Sequence, residues 1–167
     1  APVLAAKHQG SEGLLAGLVA EACGLVGTNF KMDQVRVSKV KGGDVSQSQV
    51  VKGLVLLRDS ETSVKLVENA KVCVLNCGIE MAQTETKGTV LIRTAEELMN
   101  YNKTEERSLE QIVKSMAEHC SLIVANGSIS DVAKHFLEKY NLMVLKVPSK
   151  FECRRICKAT NATALVR

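Results

Sequence analysis

The stretch "SLIVANGSISDVAKHFLEKYNLMVLKVPSK", residues 121–150, reads as strand, tight turn, amphipathic helix and strand. Two short apolar runs flanking a helical period are the signature of a crossover unit in an α/β protein. In its helix, Ile129, Val132, Ala133, Phe136, Leu137 and Tyr140 form one apolar stripe, leaving Asp131, Lys134, Glu138 and Lys139 on the wet side. In doubly wound folds such a turn often presents the helix N-terminus to a phosphate. Here the turn supplies one glycine, Gly127, too few for that cradle.

Working outward, the apolar runs "VVKGLVLL", "KVCVLN", "TVLI", "LIVAN" and "LMVLKV" are short and continuous rather than alternating, as expected of strands covered on both faces. Thr94 and Glu97 form a capping-box pair opening "TAEELMNYN", and Ser149 and Glu152 another opening "SKFECRRICKAT". A separate helix is expected over 104–119, with Leu109, Ile112, Val113, Met116 and Ala117 inward and Glu105, Glu106, Arg107, Glu110 and Lys114 outward. Towards the N-terminus, "SEGLLAGLVAEACGLVG" places Leu14, Leu15, Leu18, Val19 and Ala22 on one stripe behind a Ser11 N-cap. "DQVRVSKV" begins as an alternating strand, and the polar break "KGGDVSQS" marks a boundary near Ser46.

At 167 residues and 46% hydrophobic content the chain suffices for one good core, or one core with an appendage. No run is long and apolar enough to span a bilayer, and no signal-peptide pattern is visible. The start at Ala1 and the abrupt stop at "ATALVR" suggest an excerpt of something larger. The net charge of +4 is local: residues 134–158 carry seven Lys/Arg against two Glu. With 3% aromatics and no Trp, that bias reads as a solvated protein surface rather than a nucleic-acid interface.

Catalytic and metal readings do poorly. "KGGDVS" lacks both a following hydrophobic helix and a Lys-Ser/Thr pair, so it is a turn rather than a phosphate loop. His8, His119 and His135 are far apart and show no ligand spacing. Six cysteines, at 23, 73, 77, 120, 153 and 157, lack the density of a disulfide scaffold and read as reduced thiols. The pairs Cys73/Cys77 and Cys153/Cys157 each share a face of a regular element, where core packing is favoured over zinc. No catalytic residue, metal ligand or cofactor-binding residue is assigned.

The blocks "KVKGGDVSQSQVVKGLVL", "ENAKVCVLN", "ETKGTVLI", "ISDVAKHFLEKYNLMVLKVPSKF" and "RRICKATNATAL" occur in the order and spacing seen in group II chaperonin subunits, and nearly the whole chain resembles that family in its eukaryotic cytosolic form, TRiC/CCT. The resemblance implies an apical domain over 48–167, a β-sandwich core flanked by helices with a helical lid protrusion at about 81–118. Residues 1–47 would be the helix-and-strand intermediate-domain segment leading into it. It also implies a client-binding surface on the 129–140 helix and the loop "RDSETSVK" at 58–65, through Asp131, Lys134, Glu138, Lys139, Arg58, Asp59 and Glu61. Its partners would be unfolded client proteins and the other subunits of a hetero-oligomeric double ring in the cytoplasm, with neither nucleic acid nor membrane involved. ATP and Mg would belong to the full-length subunit, and this fragment would not be an enzyme; Asp33, Asp44, Asp59 and Asp131 match no hydrolytic motif of the family. Glycines common in the family are replaced in "EHCS", at Ser128 and at Asn161, the last a residue that tolerates the left-handed conformation. Two other readings fit the same pattern: a nucleotide- or small-molecule-binding α/β domain, and an assembly module whose basic 146–158 segment docks a neighbouring subunit without client contact.

Overall fold

The computed structural model describes residues 2–28, 30–80 and 94–166, which divide into two compact units, Ala1–Leu57 and Arg58–Arg167.

In the first unit, helix α1 (Pro2–Ala5) precedes α2 (Glu12–Val26). α2 forms where its period placed it and ends at Gly27, whose φ of 77° suits a residue without Cβ. Ser11 stands at its start without a side-chain capping bond. Among the described residues of this unit none is buried, and Leu14 and Val19 of the expected inner stripe are exposed. The strand expected in "DQVRVSKV" does not form: Met32–Gln34 is a 3-10 turn, and Val37 and Val40 beyond it are exposed and unpaired. "VVKGLVLL" likewise joins no ladder among the described residues. Gly53 interrupts it at a φ of 143°, and Val51, Val55 and Leu57 are exposed. A strand exists only through a neighbour, and apolar spacing alone cannot supply one. "KGGDVS" is the turn it was taken for: Asp44 Oδ1 accepts from the Val45 amide at 2.7 Å and opens a 3-10 turn at Val45–Gln47. The composition break near Ser46 thus falls ahead of the division between the compact units.

The second unit is built on a four-stranded parallel sheet of β1 (Val72–Leu75), β2 (Leu122–Ala125), β3 (Met143–Lys146) and β4 (Ala164–Leu165), in the order β3-β2-β1-β4. α3 (Ala95–His119) precedes β2, α4 (Asp131–Lys139) links β2 to β3, and α5 (Lys150–Thr160) links β3 to β4. The chain steps outward twice and then crosses back, so right-handed crossovers put α4 and α5 on opposite faces of the sheet. Leu75, Ile123, Ala125 and Val144 pack with Leu109 and Val113 of α3 and Ala133 and Leu137 of α4. Val74 and Val124, one residue out of phase, point the other way and are equally buried; on that face α5 contributes buried Cys153 and Ile156. Both faces are covered, which is why these strands read as continuous apolar runs. Among the described residues this is one parallel layer between helices. "TVLI" and the first part of the 81–118 segment lie outside the described residues.

Two expectations about helices change. Instead of two helices separated near "NYNKTEE", α3 is continuous over 25 residues. No Gly or Pro interrupts that stretch, and the Thr104 hydroxyl bonds back to the Asn100 carbonyl at 2.7 Å. The Ser149 cap of α5 is made, its Oγ accepting from the Glu152 amide at 3.4 Å, while the Glu152 carboxylate turns towards Arg58 rather than back to the cap. At the other end of α5, Asn161 adopts φ 55° and ψ 29°, the left-handed cap its identity suggested.

Gly127 also has its explanation. The turns after β1 and β2 run side by side, with a parallel bridge at Ile79 and Ile129. A Cβ on Gly127 would run into the Gly78 amide, and one on Gly78 would press on the Ser128 carbonyl at 2.6 Å. Here the turn needs glycine for the approach of another backbone.

Candidate functional site

α4 owes its placement to three local features. Ser130 caps it, Oγ accepting from the Ala133 amide at 3.2 Å; Asp131 favours the positive end of the helix dipole; and Ala133 and Leu137 plug into the core. That register fixes what the opposite face shows. Lys134 and Glu138, four residues apart, stand together beside the loop of residues 58–65.

The loop carries its own scaffold. Asp59 Oδ1 accepts from the Ser60 amide at 2.8 Å and from Lys65 Nζ at 2.9 Å, and the Ser60 and Thr62 hydroxyls pair at 3.1 Å. It is then fastened to the free edge of the sheet. The Glu61 amide donates to the Val144 carbonyl at 2.9 Å, and the Val144 amide donates to Thr62 Oγ1 at 3.3 Å. Both outward backbone groups of Val144 are thereby satisfied, and Thr62 is buried.

Two contacts join loop to helix. Lys134 Nζ lies 2.9 Å from Glu61 Oε2, and the Ser63 amide donates to Glu138 Oε1 at 3.1 Å. The Lys134 ammonium holds the Glu61 carboxyl below its usual range. Lys134 is raised in turn, by its bond to Glu61 and by the nearby charges of Asp131 and Glu138. Asp59 is lowered by Lys65 and then by the Ser60 amide. These are partly exposed pairs, so they orient side chains more than they stabilise the fold.

Of the seven residues expected to share one surface, Lys134, Glu138 and Glu61 are brought into a single cluster. Asp59 sits on the exposed side of the same loop, and Asp131 is exposed one turn before Lys134. The other two turn away. Arg58 Nε lies 3.8 Å from Glu152 Oε2 of α5. Lys139 Nζ lies 2.6 Å from Glu110 Oε1 of α3, which also accepts from the Tyr140 hydroxyl at 3.2 Å. Lys139 therefore clamps two helices together. Thr62, Ser63 and Glu110 had been given no such roles; their partners lie 82, 75 and 29 residues away in sequence, and no local pattern announces such pairs.

The cluster offers charges, hydroxyls and backbone groups. Among the described residues no three His, Cys, Asp or Glu side chains converge as a metal site. The acidic side chains near turns are engaged locally: Asp44 with the Val45 amide and Asp59 with Lys65. They do not fit a magnesium–nucleotide complex.

The sequence profile of the TCP-1/cpn60 chaperonin family matches residues 3–167. The T-complex protein 1 subunit theta of Arabidopsis thaliana is 48% identical over 166 residues, covering 96% of this chain and 30% of that protein. The human subunit theta is 42% identical over 165 residues, with the same coverage, and that of Saccharomyces cerevisiae 40% identical over 179 residues, covering 99% of this chain and 32% of its own length. The stretches "TETKGTVLI" and "LKVPSKFECRRIC" carry the same likeness to a theta subunit. The chain spans about a third of the length of these relatives. Its resemblance to the chaperonins is borne out, and the chain belongs to the TCP-1/cpn60 chaperonin family.

Proposed function

We propose that this chain is the client-handling part of a cytosolic, ATP-dependent chaperonin subunit: residues 48–167 act as an apical domain that holds unfolded polypeptide, and residues 1–47 as the intermediate-domain segment leading into it. The segment at about 81–118, which includes most of α3, contributes to a built-in lid. The observation that carries the reading is the fastening of loop 58–65 onto α4 through Lys134–Glu61 and Ser63–Glu138. It yields a mixed-charge strip on a rigid support, suited to contacts that are individually weak and indifferent to client sequence. Asp131, Glu138 and Asp59 are the exposed charges a client meets there, with Arg58 and Lys139 at its margins. ATP and Mg are handled by parts of the subunit that this chain does not include, and the remaining partners are the other subunits of a hetero-oligomeric double ring.

A nucleotide-binding reading loses its motive, because the glycine of the turn is taken up by Gly78. The reading is tested in the assembled chaperonin with a photo-crosslinker at Asp131 or Glu138 and a denatured client. Client adducts at both positions that fall on nucleotide-driven closure support it. Adducts to neighbouring subunits alone would favour the assembly module.

A further inference from the structure

Of the eight asparagines in the sequence, Asn126 is the one followed by glycine. In such a pair the glycine nitrogen can close on the asparagine side-chain carbonyl unhindered, because no Cβ stands in the way. The fold requires this pair: a Cβ on Gly127 would run into the Gly78 amide, so only glycine lets the turns after β1 and β2 lie side by side. The Gly127 N–H, for its part, donates to no backbone carbonyl among the described residues. What restrains the pair is the Asn126 side chain. One end of its amide lies 2.7 Å from the Asn76 side-chain amide, and the other 2.9 Å from both the Val147 and the Pro148 carbonyls. Only nitrogen can meet two carbonyls, so Nδ2 donates to both and the oxygen faces Asn76. With its own N–H donating to the Leu75 carbonyl at 2.9 Å, Asn126 ties together the ends of β1, β2 and β3.

We propose that Asn126 is a site of spontaneous modification, gated by opening of this turn. Released from Val147 and Pro148, the side chain meets its own backbone: the Gly127 nitrogen gives its proton to hydroxide and bonds to Asn126 Cγ, and Nδ2 takes a proton from water and leaves as ammonia. Water then cleaves the five-membered succinimide. Breaking the new N–C bond leaves aspartate; breaking the original peptide bond leaves isoaspartate, with the main chain rerouted through the side chain. Water is the sole co-reactant, and no electrons change hands. Either product keeps the turn from closing as before. A carboxylate oxygen replaces the donor that met two carbonyls, and isoaspartate adds a methylene to the main chain where Gly127 and Gly78 touch. Each conversion is thus a lasting record of an opening at the end of the sheet, just ahead of α4. Its isoaspartyl carboxylate is the group that a carboxyl methyltransferase specific for such residues recognises. This chemistry is independent of whether α4 meets clients.

The test ages the 167-residue chain at mildly alkaline pH, folded and in denaturant, and follows the tryptic peptide 115–134, whose one asparagine is Asn126. In denaturant this peptide is expected to gain about 1 Da, and to accept methyl groups from an isoaspartyl methyltransferase, before any other asparagine-containing peptide does. In the folded chain the conversion is expected to be at least about tenfold slower, in step with amide exchange at Asn126. Asn76→Ala is expected to speed it about fivefold in the folded chain and not at all in denaturant. Asn126→Gln is expected to remove the gain, and Asn126→Asp to lower the melting temperature. A thermal melt checks the fold of the Asn76 variant. If Asn76→Ala melts early, Asn76→Ser replaces it with the same direction expected, and the comparison with amide exchange in the parent needs no variant. The proposal is overturned if another asparagine converts first in denaturant, if folded and denatured chains convert at one rate, if a folded Asn76 variant converts like the parent, or if Asn126→Asp melts as the parent does.

Discussion

Lys134 of α4 and Glu61 of the 58–65 loop meet at 2.9 Å, and the residue after Glu61 is Thr62, whose hydroxyl accepts the outward amide of Val144. Two consecutive loop residues thus serve different ends. The Glu61 carboxylate ties the loop to the helix surface, and the Thr62 hydroxyl, with the Glu61 amide, ties it to the sheet edge. The loop that carries the proposed client strip is thus also the one that closes the edge of β3, through neighbouring but different atoms.

Thr62→Val tests this coupling. The substitution keeps the shape but removes the acceptor, stranding a buried amide at Val144. The expected cost is about 1–3 kcal/mol of stability, read by denaturant unfolding. Faster amide exchange at Glu61 and Ser63 should accompany it. Unchanged stability would mean that the edge does not need the loop.

The pH response follows from the same contacts. Glu61 and Asp59 are held below their usual values of 4.5 and 3.8, by Lys134 and Lys65 respectively. A depressed carboxyl contributes stability above its unfolded value and loses it as pH falls through the folded one. Loosening of the loop is therefore expected only below about pH 4.5. At the alkaline end Lys134 is raised above 10.5, so its contribution persists to that pH and is lost beyond it. Carboxyl-carbon NMR titration of Glu61 checks the direction; a midpoint above 4.5 would contradict the pairing.

The sequence disclosed the elements whose residues answer to their own neighbours. β1, β2 and β3 were legible because burial on both faces leaves an uninterrupted apolar run. The Ser149 and Asn161 caps of α5 were legible because capping is local. The outward placement of Lys134 and Glu138 followed from helical period alone. What stayed hidden depends on distant partners. "VVKGLVLL" has the composition of a strand but joins no ladder among the described residues, and Gly53 is the local feature that sets it apart from "KVCVLN". Lys139 shares the wet side of α4 with Lys134 yet serves Glu110, because α3 packs there. The same non-locality concealed Thr62.

The cysteines give a chemical check on the core. All six are free, and Cys120, buried and bonded to the Met116 carbonyl at 3.1 Å, is pushed up to about 11 by desolvation, with Cys73 beside it. Since the thiolate is the reactive form, Cys120 should resist alkylation at pH 8 while partly exposed Cys23 and Cys157 react. A thiol raised on folding lowers stability as pH climbs from about 9 towards 11, the range in which only the unfolded chain ionises it. Peptide mapping after iodoacetamide decides. Labelling of Cys120 as fast as Cys157 would show that the end of α3 opens readily.

α3 should not be uniformly stable. Among its described side chains Leu109 is the first to be buried, followed by Val113, so the turns before it draw little on the core. Amide exchange is expected to be fast over 96–106 and slow over 110–118, in a gradient along one continuous helix. Uniform slow exchange matching β1 and β2 would show that the first turns are covered, and would count against their use as part of a lid.

Substitutions on the two sides of α4 should separate stability from binding. Leu137 is fully buried between the sheet and α3, so Leu137→Ala is expected to cost about 2–5 kcal/mol through the cavity it leaves. Phe136 is only partly buried, with Lys139 over its ring at 5.9 Å, so Phe136→Ala should cost less than the truncation of a fully buried Phe. Reversing Lys134 and Glu138 together is different in kind. The fold should remain near its original melting temperature, because the Glu61 pair is partly exposed. The strip, however, now presents a carboxylate to Glu61 and an ammonium where Ser63 donated, so the loop is repelled at one point and left without an acceptor at the other. Crosslinking of several denatured clients to the assembled complex should then change while thermal stability does not. If the reversal unfolds the chain, α4 is held by these charges rather than by Leu137. If it leaves crosslinking of every client unchanged, α4 is not the client-facing surface, and docking between subunits becomes the better account of this domain.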